Sequence, residues 1–181
     1  MGVDYHVAVH APDWPTVATL QSCIDARQWP LVIEATEKSK RLEVGSTGGL
    51  SVRWEGNPIE LEASVVTLSP TVSYAYTFER APDQATALGR VYNLHPDETL
   101  KPVDVNETLA SIGASGVRFE HGDRVLTLTF RIDETQWKVG FYLMAALINC
   151  SLGYGFELQQ GAHGGEDYAK RLEQEAAEFA K

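Results

Sequence analysis

Four groups of residues in this sequence carry side chains able to do chemistry at short spacing, and each implies a different chemistry. His6 and His10 invite a metal reading. On a strand they would point the same way but stand ~13 Å apart at about 3.3 Å per residue, too far to share one ion. They are expected on the exposed face of a strand. Val44-Gly45-Ser46-Thr47-Gly48-Gly49-Leu50 has the composition of a phosphate cradle. A Walker loop, however, needs Gly-Lys-Ser/Thr entering a helix, and here there is no lysine and a strand-like pattern follows.

The third group is the run Cys150 to Tyr168, with five glycines, His163, Glu157, Glu166 and Asp167. Gly153-x-Gly155 lacks the third glycine of a dinucleotide fingerprint, because residue 158 is leucine, and it follows a helix pattern rather than a strand. The span reads as a helix end, a short strand through Tyr154, Phe156 and Leu158, a loose loop over Gly161 to Gly165, and a helix start at Glu166-Asp167. His163 with Glu166 and Asp167 could hold a weakly bound ion, but joinery between two helices explains the same residues.

The fourth group is acidic. Glu120, His121 and Asp123 are expected at the tip of a hairpin running from Val117 to Ile132, with Asp133 and Glu134 on a later loop. Acidic tips suit docking onto a basic surface, where they raise association rates. Turn chemistry accounts for the same residue types. These five residues are the candidate partner-binding set. No catalytic, cofactor-binding or metal-binding residue is nominated. Gly-x-Ser-x-Gly is absent, and neither cysteine has a basic neighbour in sequence to favour a thiolate.

The elements that must position these groups follow from the apolar periodicity. Tyr5, Val7 and Val9 alternate with Asp4, His6 and Ala8 as in a half-buried strand. Asp13 and Pro15 suggest the start of a helix carrying Val17, Leu20 and Ile24, stopped by Trp29-Pro30. Leu31 to Ala35 reads as a strand. Leu50, Val52 and Trp54 then form a hairpin with Ile59, Leu61, Ala63 and Val65. A four-residue loop, Glu55 to Pro58, would set Trp54 opposite Ile59 and Val52 opposite Leu61. Val72 to Phe78 alternates again, and Val91 to Leu94 suggests a short strand.

Asp104 to Glu107 resembles a capping box for a short helix ended by Gly113, and Asp133 to Gln136 one for a longer helix. That second helix carries apolar residues around most of its surface, from Trp137 to Leu152. The last helix has only Tyr168, Leu172, Ala176 and Phe179 as an inner stripe, so it is expected on the outside. The whole reads as a single α+β domain over residues 1–181, a mostly antiparallel sheet with one central buried helix and peripheral helices, its helices on one face.

Composition narrows the function. The 181 residues are 44% hydrophobic and 22% charged, ordinary for a globular chain, and 25 acids against 15 bases leave a net charge of −10. Such a field disfavours nucleic acid and anionic membrane, both of which need a basic footprint. The apolar run Val139 to Cys150 is shorter than the ~20 residues that span a bilayer. Met1-Gly2-Val3-Asp4 has no basic start, so no secretory leader is expected. Cys23 and Cys150 fall in apolar helical stretches and are expected as unpaired core thiols, which suits a cytoplasmic protein.

With no catalytic or cofactor pattern and a strong negative charge, the expected role is binding rather than catalysis. No motif resembles a named family. By analogy alone, size, charge and a loose α+β layout are similar to those of acidic antagonists of secreted bacterial toxins, so the expectation is an immunity or antitoxin type inhibitor that masks a basic protein partner, with no cofactor. A small enzyme whose site is assembled from scattered residues, or an oligomer-forming structural subunit, is the alternative.

Overall fold

The strand at residues 3–9 sits deep in the sheet rather than on its surface. In the computed structural model, which describes residues 2–44, 48–69 and 101–179, β1 (Val3–Val9) hydrogen-bonds antiparallel to a strand on each side. Seven strands form one antiparallel sheet in the order β2-β3-β4-β5-β1-β6-β7, the others being β2 (Leu31–Ile33), β3 (Gly49–Trp54), β4 (Asn57–Thr67), β5 (Arg124–Phe130), β6 (Tyr154–Glu157) and β7 (His163–Gly164). Among the described residues there are four α-helices: α1 (Val17–Ala26), α2 (Pro102–Ser111), α3 (Glu134–Ser151) and α4 (Glu166–Glu178). The α+β antiparallel architecture anticipated from the periodicity is the one observed. The strands anticipated at Val72 to Phe78 and Val91 to Leu94 lie outside the described residues.

Alternation along β1 divides the interior into two. Val7 and Val9 join a large core with Leu20, Ile24, Leu126, Leu128, Phe130 and the inner faces of α1, α3 and α4. Ala8 points the other way and joins a smaller core with Leu68, Val105, Leu109, Phe119, Val125 and Phe156, beneath α2. The helices therefore do not all lie on one face: α2 covers part of the opposite side. Its start also differs from the capping box expected at Asp104, for Lys101 is the N-cap, makes no side-chain cap bond, and is followed by Pro102, whose fixed φ suits a first turn.

The first hairpin closes one step tighter than the expected loop. Glu55 and Gly56 form a two-residue turn, both at positive φ (51° and 81°), and Trp54 pairs with Asn57, Val52 with Ile59 and Leu50 with Leu61. The expected register was two residues away, which preserves every side chain's face. Pro58 is harmless here because it occupies the pair next to the turn-closing one, where its missing N–H would point away from β3. On that other side, β5 begins to pair with β4 only at Glu62. The second hairpin does not form. Residues 117–120 are not a strand, and β5 pairs instead with β1 and β4. Phe119 accordingly packs in the smaller core rather than beside Leu126 and Leu128.

On the large-core face, Thr16 rather than Asp13 caps α1, accepting from Thr19 N at 3.1 Å, while Asp13 ends a short 3-10 turn. Gln21, buried on α1, ties the helix to edge strand β2 by donating to Leu31 O (2.9 Å) and accepting from Ile33 N (2.8 Å). Asp133 caps α3 as expected, accepting from Thr135 N and Gln136 N. A Cβ at Gly140 would overlap the Phe130 ring, and one at Gly155 would lie 2.5 Å from the Tyr168 ring. These glycines are close-approach sites that let α3 and α4 seat on the sheet. Along α4, Tyr168, Leu172 and Ala176 are buried, as its stripe requires.

Cys23 on α1 and Cys150 on α3 are joined as a disulfide, their Cα atoms 6.3 Å apart. The expectation of two unpaired core thiols is thus corrected. The pair are 127 residues apart in the chain and meet only because α1 and α3 lie side by side on the sheet. No helix among the described residues is long and apolar enough to cross a membrane.

Candidate functional site

Asp123 organises the region expected to be an acidic tip, and it does so from the inside. Its carboxylate is buried and accepts from Ala11 N (2.8 Å), Glu120 N (2.7 Å) and the His10 ring (3.0 Å), tying the 120–123 turn to the end of β1. Leu68 N donates to Asp123 O at 2.7 Å and Gly122 N to Leu68 O at 2.8 Å, which anchors the same turn to the end of β4. The imidazole of His10 stacks on Phe119, ring centroids 4.9 Å apart. Asp123 is therefore buried and engaged within the fold rather than exposed at a tip. Turn chemistry claims it, as its spacing three residues after Glu120 permits.

Glu120 and His121 remain exposed beside a groove of about 600 Å³ between α2 and the 115–121 segment. Phe119 and Val117 form part of its wall, Val103 lines it from α2 at 54% exposure, and Glu107 and Arg118 stand at its edge. The two walls are pinned together by Asn106, which donates to Phe119 O (3.0 Å) and accepts from Phe119 N (2.8 Å). Arg118 offsets one of the two glutamates, so the rim is only mildly acidic.

Asp133 and Glu134 are not part of this surface. They lie beyond the far end of β5, and its seven residues separate the two ends by ~20 Å at about 3.4 Å per residue. Asp133 is engaged as the α3 cap and Glu134 occupies its first turn, next to Ile132, which is 98% exposed. The five candidate residues are thus split between two ends of the sheet, with one of them buried.

A second polar group lies on the α2 side of the sheet. His6 is fully buried, its Nδ1 2.8 Å from Thr127 Oγ1 and its ring stacked 5.1 Å from Phe156. Burial depresses its pKa to about 3, so it is neutral. Two strand positions away, Asp4 is also buried, and its Oδ1 has no hydrogen-bond partner. Its pKa is raised to about 6, first by desolvation, with the Glu62 charge adding to the effect while Thr129 and Arg131 oppose it. The expectation of an exposed face for both histidines fails at His6; His10, at 46% side-chain exposure, meets it in part.

The ion reading of His163, Glu166 and Asp167 receives no support from the arrangement. His163 Nδ1 is 2.6 Å from the Tyr154 hydroxyl, and Glu166 pairs along α4 with Lys170 at 3.6 Å. No group of three His, Cys, Asp or Glu side chains suited to a metal occurs among the described residues. The glycine-rich loop does lead into β3, as expected, although residues 45–47 lie outside the described set.

Compared with protein-family models, with curated proteins and with solved structures, the chain matches none. What the chain can do is therefore argued from its own residues.

Sequence reasoning missed the burial of Asp4 and His6, and also the role of Glu157, whose buried carboxylate accepts from Gln159 N (2.8 Å), Gln160 N (3.0 Å) and Ala162 N (3.0 Å) to shape the β6–β7 loop. The alternation in β1 put Asp4 and His6 on one face, but nothing local said that this face would be covered. For Glu157 a signal existed: a lone acid ending an apolar strand, followed by Leu-Gln-Gln-Gly, is a carboxylate placed to receive loop amides.

Proposed function

We propose that this protein is an acidic protein-binding domain that masks a basic partner, of the immunity or antitoxin type. The observation that carries the reading is the state of the surface charges. Arg27, Lys40, Arg53, Arg131, Lys170 and Arg171 each pair with a glutamate. Exposed acids such as Glu107, Glu120 and Glu134 have no such partner among the described residues. Lys38, Arg41, Lys101, Arg118, Arg124 and Lys138 likewise pair with no carboxylate among the described residues, so the field beyond the surface is set by the excess of acids, 25 against 15 bases, in a chain of net charge −10. That field attracts a basic surface and repels nucleic acid and anionic lipid.

Affinity capture from the source organism at low salt tests this. A stoichiometric basic protein is expected, released by raised salt and less toxic when this chain is co-expressed. Failure of any basic protein to bind in a salt-dependent way would remove the reading. An antitoxin role places the chain in the cytoplasm, whereas a lasting Cys23–Cys150 disulfide belongs to an oxidising compartment. Cell fractionation with thiol labelling distinguishes the two locations.

One observation favours an enzyme as the second reading. At Asp4 a buried carboxyl has one oxygen without a hydrogen bond and a pKa raised to about 6, the titration range that acid–base groups use near neutral pH. Turnover on a panel of hydrolase substrates that vanishes in Asp4→Asn would establish it in place of the binding role.

A further inference from the structure

We propose that the groove between α2 and the 115–121 segment is the anchoring point for the basic partner, taking one large apolar side chain flanked by Lys or Arg. This rests on the masking role argued above and adds to it a place and a chemistry of contact. Charge attraction alone is long-ranged and unspecific, so a specific complex needs a desolvated apolar anchor within the charged surface. The groove combines these features: about 600 Å³, walls from Val117, Phe119 and Val103, and the carboxylates of Glu107 and Glu120 at its rim. Val103 stands 54% exposed there, whereas most large aliphatic side chains of the described residues are buried.

The groove is also pre-formed. Asn106 bridges its two walls through both hydrogen bonds to Phe119, and buried Asp123 holds the turn that presents Glu120. Little ordering remains to be done when an anchor enters, which favours affinity. The sign of the occupant's charge follows from the rim, where two glutamates outweigh one arginine. Glu107 and Glu120 suit cations flanking the anchor, while Arg118 would disfavour a second cation on its own side. A basic segment with a single leucine or aromatic residue between cations meets those terms.

The test is an NMR titration of the isotope-labelled full chain with two synthetic probes. One is a lysine-rich peptide with a central leucine, and the other the same peptide with alanine at that position. The leucine peptide is expected to bind about tenfold more tightly, the effect of burying one leucine side chain. Its shifts should centre on Val103, on Phe119 and on Ala110, which lines the groove from α2. Val103→Glu is expected to abolish the preference for leucine while leaving the alanine peptide's affinity no lower. Equal affinities with shifts spread over other acidic surfaces would overturn the groove as anchor and leave the masking role standing. Absence of binding by either peptide at low salt would overturn both.

Discussion

The two faces of the sheet are built on different principles. The face under α1, α3 and α4 is a continuous apolar interior, with Tyr5, Phe130, Trp137 and Phe141 in mutual ring contact at 4.8–5.8 Å. The α2 face mixes a small apolar cluster with buried polar groups, namely His6, Thr127 and Asp4. Three buried carboxylates sharpen the contrast. Asp123 and Glu157 are each saturated by three donors, whereas Asp4 keeps an oxygen without a hydrogen bond and a raised pKa. The first two hold loops in place. Asp4 is instead expected to lower stability at neutral pH, and a costly group at a covered position is a common mark of function.

If the apolar face is the stability reservoir, damage there should weigh most. Phe130→Ala is expected to lower unfolding free energy by about 3–5 kcal/mol in urea denaturation, since it empties the centre of the ring cluster. Leu109→Ala, in the smaller core, is expected to fall at the lower end of the range for leucine, about 2–3 kcal/mol. Equal losses would remove the distinction between the faces.

The disulfide pins α1 onto the apolar face and closes a long loop. Replacing both Cys23 and Cys150 by serine is expected to lower stability by about 2–4 kcal/mol, with no comparable loss in reducing buffer. A thermal scan with and without a dithiol reductant checks this. Stability that ignores reductant would show that the bond does not form in solution.

Asp4 supplies a smaller effect and the opposite sign. Its folded pKa of about 6 lies above the ordinary value of 3.8, so the folded state holds its proton more tightly than the unfolded chain. Stability should fall as pH rises from about 4 to 6 and stay lowered above that, by about 1–3 kcal/mol from this residue. Asp4→Asn should therefore raise stability at pH 7 and flatten the slope between pH 4 and 6. An Asn variant less stable than the parent at pH 7 would contradict a desolvated carboxyl. Asp123→Asn offers the reverse case: it is expected to cost about 1–3 kcal/mol, because the amide cannot satisfy the donors that the carboxylate accepts.

Local chemistry accounts for what was legible beforehand. Asp133 as a cap, Val17-Leu20-Ile24 as a buried stripe and the alternation of β1 are all settled within a few residues, by amides in need of acceptors or by a repeating period. The Glu55-Gly56 turn was misplaced because a glutamate at positive φ is uncommon, and the hairpin's apolar faces match equally well in either register. The 117–132 hairpin failed for a non-local reason: Asn106, from a different element, takes both backbone groups of Phe119 and leaves β5 to pair with β1 and β4.

The amino-acid sequence by itself determined the class of fold, the negative field, most helices, and which side chains share a face, because periodicity and charge are carried residue by residue. Tertiary structure alone decided that both faces of β1 are covered, that Cys23 meets Cys150, that Asp123 turns inward, and that Glu120 borders a groove while Asp133 lies across the sheet. Each of these depends on which distant element comes to pack where. Burial, and with it the pKa of Asp4 and the neutrality of His6, is set by those neighbours in space rather than along the chain.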